Sequence, residues 1–421
     1  MQKRKKHAGF IIVLSIIAVL IITVVGAAGI YSRFGGFGTG DCADTGEFSK
    51  YATSVSELTV PDEAQIVALG EATHGNKEFQ KLRLDVFQVL VEKYGVRAFA
   101  LEGDFGGCEA INRYIHGADG TAAEALSTTG FAIYRTEEME NLVEWMRDYN
   151  ASAAQGDDLR FYGFDMQRRA YSYHYLREAL QKANIDTADF EKLWSSEADD
   201  YADGYTAEQR TQIITAVKNQ LSPEDAQAIH FADILLQNIE LGKYIDDSGE
   251  LNTQRDRMMA ENTLWILQQE QACGNSRIMI SGHNNHIMQC ENAGTPVLGS
   301  LLAEELESGY FAIGTDFYKS VCNLPKPYTG KRITHTFYSY DPLAKASKKC
   351  GFDVSFLDFS KVPEGSLLTK HLANSISMGS LGESYSVLMN FVPRSYRVRR
   401  IPQDAYDAMI FVANAMPIEI R

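Results

Sequence analysis

The chain has 421 residues, 45% hydrophobic and 11% aromatic, which is enough for one large core or two smaller ones. Its formal net charge of −15 argues against a nucleic-acid-binding protein, because such a surface repels phosphate, and no basic patch with interleaved aromatic residues occurs. None of the six cysteines forms a CxxC pair, so the sequence supports neither a thiolate zinc site nor a thioredoxin-like motif.

The N-terminal segment is typical of a membrane anchor. Residues 1–7 contain four basic residues and no acid, and residues 8–30 form an uncharged, largely apolar run long enough to cross about 30 Å of hydrocarbon. We therefore predict a cytoplasmic flank at 1–7, a transmembrane signal anchor at 8–31, a flexible linker at 32–45 and an exported domain beyond it. Because a signal peptide has an apolar run of only roughly 7–15 residues, cleavage near Ala27 to give a secreted protein is the alternative.

Beyond the linker, short apolar runs alternate with amphipathic stretches, which indicates strands alternating with helices. A helix is predicted at Lys77–Tyr94, and residues 187–270 have helical spacing with no strand-like run, which predicts a helical insertion. The expected fold of the domain at 46–421 is α/β, with a mainly parallel central sheet flanked by helices. Buried strands are predicted at Gln65–Leu69, Val96–Leu101, Leu159–Phe164, Arg277–Ser281, Tyr310–Gly314 and Ala408–Val412.

Polar clusters follow three of these predicted strands. They occur in the sequences GEATHG (70–75), LEGD (101–104) and GHNNH (282–286). Ligands of open α/β sheets bind beyond the carboxyl ends of the strands, so we expect these clusters to meet at one edge of the sheet. The side chains that would meet there are Glu71, His74, Glu102, Asp104, His283 and His286.

The residue types in these clusters suit proton transfer. Imidazole exchanges protons near neutral pH, so His74 is a candidate base that Glu71 could orient. Arg83, nine residues beyond His74, could pair with a carboxylate or bind an oxyanion. His283 and His286 are spaced to face the same point if their segment turns helical.

A metal site is an alternative use of the same residues. His74, His283 and His286 with a carboxylate would make a nitrogen and oxygen site with a position left for water. The HExxH order is absent, so zinc is not specified. The chain also lacks a GxSxG elbow, a GxxxxGK[ST] loop and a GxGxxG fingerprint, which argues against a serine hydrolase elbow and against nucleotide-binding enzymes.

Taken in order, these motifs resemble the erythromycin esterase family. The resemblance runs roughly from residue 64 to 417 and includes GEATHG, the arginine nine residues after its histidine, LEGD, GFDMQ (163–167), GHNNHI (282–287) and the tail YDAMIFVANAMP (406–417). It implies an α/β fold with a deep cleft and cleavage of a macrolide lactone ester by water. It assigns the general base to His74 and supporting roles to Glu71, Arg83, Glu102, His283 and His286.

These observations together predict a membrane-anchored hydrolase that cleaves an ester or macrolactone, with a role in the response to antibiotic. Asp104 and Asp165 are expected to line the substrate cleft, and no cofactor is expected unless a divalent metal binds. The expected partners are a small-molecule ester or macrolide substrate and the membrane, with no nucleic acid. Two alternatives stay open: a metal-dependent envelope hydrolase of another ester or amide, and a binding protein of the envelope without catalysis.

Overall fold

The computed structural model describes residues 12–27, 41–194, 200–390, 392 and 395–421. Residues 12–27 form a helix, α1. Within the described parts of the chain, no helix combines the length and the apolar character needed to cross a membrane. The anchor predicted at 8–31 extends beyond the described residues at both ends, and most of the linker predicted at 32–45 lies outside them.

Ten strands form the framework of the domain within the described residues. They are β1 (Ile66–Glu71), β2 (Ala98–Asp104), β3 (Arg160–Asp165), β4 (Ile278–His283), β5 (Tyr310–Pro325), β6 (Arg332–Tyr338), β7 (Val354–Asp358), β8 (Ile376–Gly379), β9 (Arg397–Arg400) and β10 (Ala408–Ala415).

The main sheet has eight strands and is mostly parallel. Its order is β3-β2-β4-β1-β5-β10-β7, and β6 pairs with the second half of β5. Only β7 and β6 run antiparallel to their neighbours, while β8 and β9 form a separate antiparallel pair. The predicted mainly parallel α/β fold is therefore confirmed.

Helices cover both faces of the sheet and bury one apolar cluster against each face. After α1 the helices are α2 (Thr45–Tyr51), α3 (Lys77–Tyr94), α4 (Phe105–Ile115), α5 (Ala122–Ser127), α6 (Glu137–Ser152), α7 (Ala170–Lys182), α8 (Ala188–Glu191), α9 (Ala207–Lys218), α10 (Ala226–Leu241), α11 (Ser248–Ala272), α12 (Asn284–Ile287), α13 (Leu298–Leu306), α14 (Pro342–Lys349), α15 (Thr369–Leu372) and α16 (Pro402–Ala405).

All six predicted strands are present, each within a few residues of its predicted bounds, and α3 has the predicted bounds. Helix α3 ends where Gly95 adopts the left-handed conformation with φ 66°, a common helix terminator. The described residues of the predicted insertion, 187–194 and 200–270, fold into α8–α11 without a strand. The insertion is thus helical as expected.

The parallel register brings the ends of neighbouring strands level. β1 and β4 pair from Ile66 with Ile278 to Glu71 with His283. Between β2 and β3 the register shifts after Leu101, so that Asp104 pairs with Asp165. Such an irregularity redirects side chains and is common beside active sites. Four strands therefore deliver polar residues to one edge of the sheet.

Candidate active site

The site begins with an ion pair buried at the end of β1. Glu71 is 1% exposed, and its Oε2 lies 2.9 Å from Nη2 of Arg83, which is fully buried. The other oxygen, Oε1, is hydrogen-bonded to Nδ1 of His74. Burial alone would raise the pKa of Glu71, but the Arg83 and His74 charges outweigh it and lower that pKa. Glu71 is therefore held as a carboxylate that fixes the His74 ring.

Arg83 is locked in place by groups other than substrate. Its Nε donates to Ser281 Oγ at 3.0 Å, and Nη1 donates to Gln80 Oε1. Its guanidinium carbon lies 5.3 Å from the centre of the Tyr134 ring. Of the roles expected from the sequence, the structure places Arg83 in the pairing with Glu71, because a fully buried guanidinium does not reach a cleft.

His74 turns its second nitrogen, Nε2, away from Glu71, and no described residue hydrogen-bonds to that atom. Burial alone would lower the pKa of His74, but the Glu71 carboxylate, with Glu102 and Glu383 further away, raises it above the ordinary value. With Nδ1 bonded to a carboxylate, the neutral ring carries its proton on Nδ1 and a lone pair on Nε2. Such a ring can accept a proton at Nε2.

Glu102 lies at the register shift of β2 and accepts two hydrogen bonds. Oε2 accepts from the backbone N–H of His283 at 2.7 Å, and Oε1 accepts from Nη2 of Arg255 at 2.8 Å. Burial alone would raise the pKa of Glu102, but the charges of His286 and Arg255 hold it well below its usual range. A carboxylate with this many donors stays ionised. Glu102 thereby joins β2, β4 and α11.

Arg255, on α11, also binds the end of β3. Its Nη2 donates to Asp165 Oδ2 at 2.7 Å, and its Nε lies 3.2 Å from the same oxygen. Asp165 is fully buried and also accepts from the backbone and side chain of Gln167. Asp165, which we expected to line the cleft, is thus bound to Arg255 below the surface.

His286 lies between two carboxylates. Its Nδ1 is 2.7 Å from Asp256 Oδ1, and its Nε2 is 3.5 Å from Glu102 Oε1 and 3.3 Å from Arg255 Nη1. Burial alone would lower the pKa of His286, but Glu102 and Asp256 raise it. This ring is therefore favoured in its protonated form, which suits a proton donor.

The pKa of His283 is shifted in the opposite direction from that of His286. Its Nδ1 accepts a hydrogen bond from the backbone N–H of Asn285 at 3.2 Å, so the neutral ring carries its proton on Nε2. Burial, followed by the charges of His74 and His286, lowers the pKa of His283 to about 3. Nε2 is buried and has no hydrogen-bond partner among the described residues. The ring centre is 5.0 Å from that of His74. His283 therefore presents an unpaired N–H donor beside the candidate base.

The glycines around these residues are required by close contacts. A Cβ at Gly70 would lie 2.1 Å from Asn284 Oδ1, and a Cβ at Gly75 would lie 2.3 Å from Cys322 Sγ. Neither glycine has a positive φ. Close packing against Asn284 and Cys322, and not a left-handed backbone, therefore requires glycine at both positions.

Asp104 caps a helix instead of pointing into a cleft. Its Oδ2 accepts from the backbone N–H of Gly107 at 2.6 Å at the start of α4, and the residue is 1% exposed. Burial, together with the nearby Asp165, raises the pKa of Asp104 to about 7. Its Oδ1 has no hydrogen-bond partner among the described residues.

A segment after β8 lies beside the GEATHG turn. The N–H of Leu381 donates to the carbonyl oxygen of Ala72 at 2.8 Å. Asn285, within GHNNH, accepts from Arg400 Nη2 at 2.8 Å and from Ser380 Oγ at 3.3 Å. The segment around 380 and strand β9 are therefore tied to both histidine motifs.

The three histidines do come together, as expected, with ring centres 5.0 Å apart for His74 and His283 and 6.4 Å apart for His283 and His286. Within the described residues, no three side chains of the types His, Cys, Asp and Glu are arranged to hold a metal ion. The metal site proposed for His74, His283 and His286 thus receives no support from the geometry.

Arg255 and Asp256 belong to the site and were missed in the sequence. Both lie on α11, inside the insertion, where a charged pair resembles a solvent-facing helix surface. A signal was present for Asp256, because it shares a helical spacing with buried residues such as Met259, Thr263 and Ile266. A polar residue on an otherwise buried stripe needs a partner, and His286 is that partner.

The arrangement gathers three imidazoles and their carboxylate partners at one edge of an α/β sheet. A family model described as "Erythromycin esterase" matches residues 91–415, and the chain belongs to the erythromycin esterase family. The matched range includes Glu102, His283 and His286, whereas Glu71, His74 and Arg83 precede it.

Two similar proteins extend this relationship. "Erythromycin esterase type II" from Escherichia coli is 25% identical, with 72% of this chain and 82% of that protein covered. "Putative hydrolase YbfO" from Bacillus subtilis (strain 168) is 24% identical, with 60% of this chain and 65% of that protein covered. This chain therefore spans somewhat less than two thirds of the second relative.

Solved structures share the fold. A crystal structure named as a succinoglycan biosynthesis protein has a TM-score of 0.74 at 20% identity, covering 90% of this chain and 98% of its own. A Bacillus cereus protein has a TM-score of 0.74 at 21% identity, covering 90% and 99%. An erythromycin esterase variant in its open conformation has a TM-score of 0.55 at 17% identity, covering 88% and 94%.

Proposed function

We propose that this protein hydrolyses a carboxylic ester or macrolactone by direct attack of water, with His74 as the general base. Family membership supports a hydrolase of the erythromycin esterase type. The observation that carries the proposal is the arrangement of three neighbouring imidazoles. His74 has Nδ1 on a carboxylate and a free lone pair on Nε2, His283 has a buried Nε2 without a partner among the described residues, and His286 lies between two carboxylates.

Each step of the reaction has a residue suited to it. His74 Nε2 removes a proton from water as the water oxygen attacks the carbonyl carbon. The developing oxyanion accepts a hydrogen bond from His283 Nε2–H, which has no other partner among the described residues. The bond from carbon to the leaving oxygen then breaks, and protonated His286 gives that oxygen a proton. His74 afterwards loses its proton to solvent and His286 regains one.

The remaining charged residues position these three rings. Glu71 fixes the tautomer of His74, and Arg83 keeps Glu71 ionised. Glu102 orients the backbone of His283 through its N–H, and Asp256 orients the ring of His286. Removing such supporting partners typically lowers activity because the reacting geometry loosens.

The substrate is proposed at the level of a class. Macrolides are one candidate, because one similar protein is named an erythromycin esterase, and a role in the response to antibiotic would follow. The test is hydrolysis of erythromycin, simple lactones and 4-nitrophenyl esters by the purified protein and by H74N. Turnover of at least one substrate that H74N loses supports the proposal; no turnover of any, or full turnover by H74N, contradicts it.

We also propose that the catalytic domain lies outside the cytoplasmic membrane, held there by residues 8–31. The support is the uncharged run next to a basic flank. In cells, the protein should then remain with membranes after an alkaline wash and be digested by added protease once the outer barriers are opened. Recovery in the wash with protease resistance would contradict this.

A further inference from the structure

A pocket of about 550 Å³ lies in the helical part of the domain. Drug-sized ligands occupy pockets of roughly 300–1,000 Å³. Much of its wall is apolar and comes from Tyr201, Ile239, Leu241, Ile245 and Leu251. None of the residues assigned above to proton transfer lines it.

A helix spacing and a hydrogen bond connect the wall of this pocket to Arg255. Leu251 in its wall precedes Arg255 by four residues on α11, so the two side chains occupy the same helix face one turn apart. Gln167, also in the wall, donates Nε2 to Asp165 Oδ2 at 2.7 Å, the oxygen that binds Arg255. Arg255, which donates to Glu102 and lies 3.3 Å from His286, therefore connects the pocket wall to two of the residues proposed for catalysis.

The charge of the pocket is unusual for this chain. Among the described residues, its wall contains Arg169, Arg210 and Lys243 and one carboxylate, Asp200, on a protein whose formal net charge is −15. Asp200 pairs with Arg169 at 2.5 Å, and Lys243 pairs with Glu240.

Arg210 differs from these two cations, because it has no carboxylate partner among the described residues. No acid within the described ranges lies at ion-pair distance from it; its Nη2 donates to the carbonyl oxygen of Ala202, and its Nε has no hydrogen-bond partner there. The guanidinium carbon is 4.5 Å from the centre of the Tyr201 ring, which holds it against an aromatic surface. A partly buried arginine of this kind suits a carboxylate.

We propose that this pocket binds the non-reacting part of the substrate, and that this part is an aliphatic chain or ring carrying one negative charge that meets Arg210. The inference rests on the proposed ester hydrolysis for its connection to catalysis. The apolar wall accounts for the aliphatic body, and Arg210 accounts for the charge. The favoured substrates are thus esters of carboxylated aliphatic acids of medium length.

Direct binding tests the pocket without catalysis. The full-length protein in detergent is titrated by calorimetry with hexanoate, 1-hexanol and acetate, and titrations into protein-free micelles are subtracted. We expect hexanoate to bind at least tenfold more tightly than either comparison compound. R210Q should abolish that advantage, R210K should retain most of it, and R257Q, an exposed arginine on α11, should not change it. Equal binding of the three compounds, or an unchanged advantage in R210Q, overturns the inference.

Kinetics then test the connection to the catalytic cluster. For 4-nitrophenyl acetate, 4-nitrophenyl octanoate and mono-4-nitrophenyl suberate, kcat/KM should rise in that order, and R210Q should lower the suberate value to that of octanoate. Equal values for the three esters in the unmodified protein overturn the inference but leave ester hydrolysis intact. Hexanoate binding without hydrolysis of any ester overturns the proposed function and leaves the pocket standing.

Discussion

Arg255 and Glu102 are joined across the edge of the sheet by a single 2.8 Å hydrogen bond, and the same Arg255 nitrogen also reaches Asp165 at 2.7 Å. One guanidinium on α11 thereby ties together β2 and β3. Its Nη1 lies 3.3 Å from His286 Nε2 as well. Ion pairs of Arg255 thus connect the helical insertion to the sheet, next to the proposed catalytic residue His286.

Replacing Arg255 should therefore damage both stability and activity. R255M leaves the buried Asp165 without its cation, and breaking a buried pair in this way typically costs about 3–5 kcal/mol. We expect a loss of that order in the free energy of unfolding, measured by urea denaturation. R257Q on the exposed side of α11 is the matched control and should change little. If R255M were as stable as the unmodified protein, Arg255 would not hold β2 and β3 together as inferred.

The pH dependence of kcat/KM should report His74. Because its pKa is raised in the folded protein, its basic form, and with it the activity, should appear only as pH rises above the ordinary histidine value of about 6.5. E71Q removes the carboxylate that raises this pKa, so the acidic limb should move to lower pH while the maximal rate falls. E92Q, on the exposed side of α3, should leave the limb in place. If the acidic limb of the pH profile did not move in E71Q, the pairing of Glu71 with His74 would be contradicted.

His283 should act as a neutral donor. H283A should lower kcat by about 10²–10³-fold with little change in KM, as expected for loss of one oxyanion donor. H283Q, which can also donate, should recover part of the loss. Because the pKa of His283 is lowered to about 3, its ring signals in NMR spectra should not titrate between pH 5 and 8. Titration within that range would exclude the neutral role.

Asp104 should make stability depend on pH in a predictable direction. Its pKa is raised to about 7, so the folded state favours the protonated carboxyl. The stability that this gives is fully present below about pH 4 and is lost as pH rises through about 7. D104N keeps an acceptor for Gly107 and removes the titration. It should be more stable than the unmodified protein at pH 8, by on the order of a few kcal/mol, and similar to it at pH 4. An equal difference at both pH values would disprove this.

Chelation provides a separate test of the chemistry. Each of the three imidazoles uses its Nδ1 in a hydrogen bond, to Glu71, Asn285 or Asp256. We expect kcat/KM to be unchanged after exhaustive treatment with EDTA, and elemental analysis to find less than one equivalent of metal. Activity that disappears with chelation and returns with a divalent ion would favour the metal-dependent alternative.

The sequence predicted the strand-end part of the site because its local pattern is strong. His283 lies shortly after the apolar run Ile278–Ile280, and Glu71 lies shortly after Ile66–Leu69, so their placement needs only the rule that parallel strands end at one edge. Arg255 and Asp256 on α11 reach the site only through the packing of this helix against the sheet. They lie about 90 residues after Asp165 in the sequence. The helical spacing of Asp256 with buried residues indicates that it is buried, but it does not indicate which residue it contacts. The same holds for β8 and β9, which pair only through tertiary contacts.

Strand β6 was missed for a different reason. It pairs with the second half of β5, from Lys319 to Pro325, where four of the seven side chains are only partly buried. The apolar run that marks β5 in the sequence ends at Gly314, and β6 itself contains one buried residue, Phe337. A strand pair at the margin of a sheet therefore leaves little hydrophobic signal.

Asn284 sits where the pairing of β1 with β5 stops at Leu69. Its amide nitrogen donates to the carbonyl oxygen of Thr315, and its amide oxygen accepts from the N–H of the same residue. The amide occupies the space that a Cβ at Gly70 would fill. The two positions are consequently bound to change together over evolutionary time: a relative that acquires a side chain at the glycine position must also replace the asparagine. In an alignment of such relatives, these two columns should co-vary although they are more than two hundred residues apart.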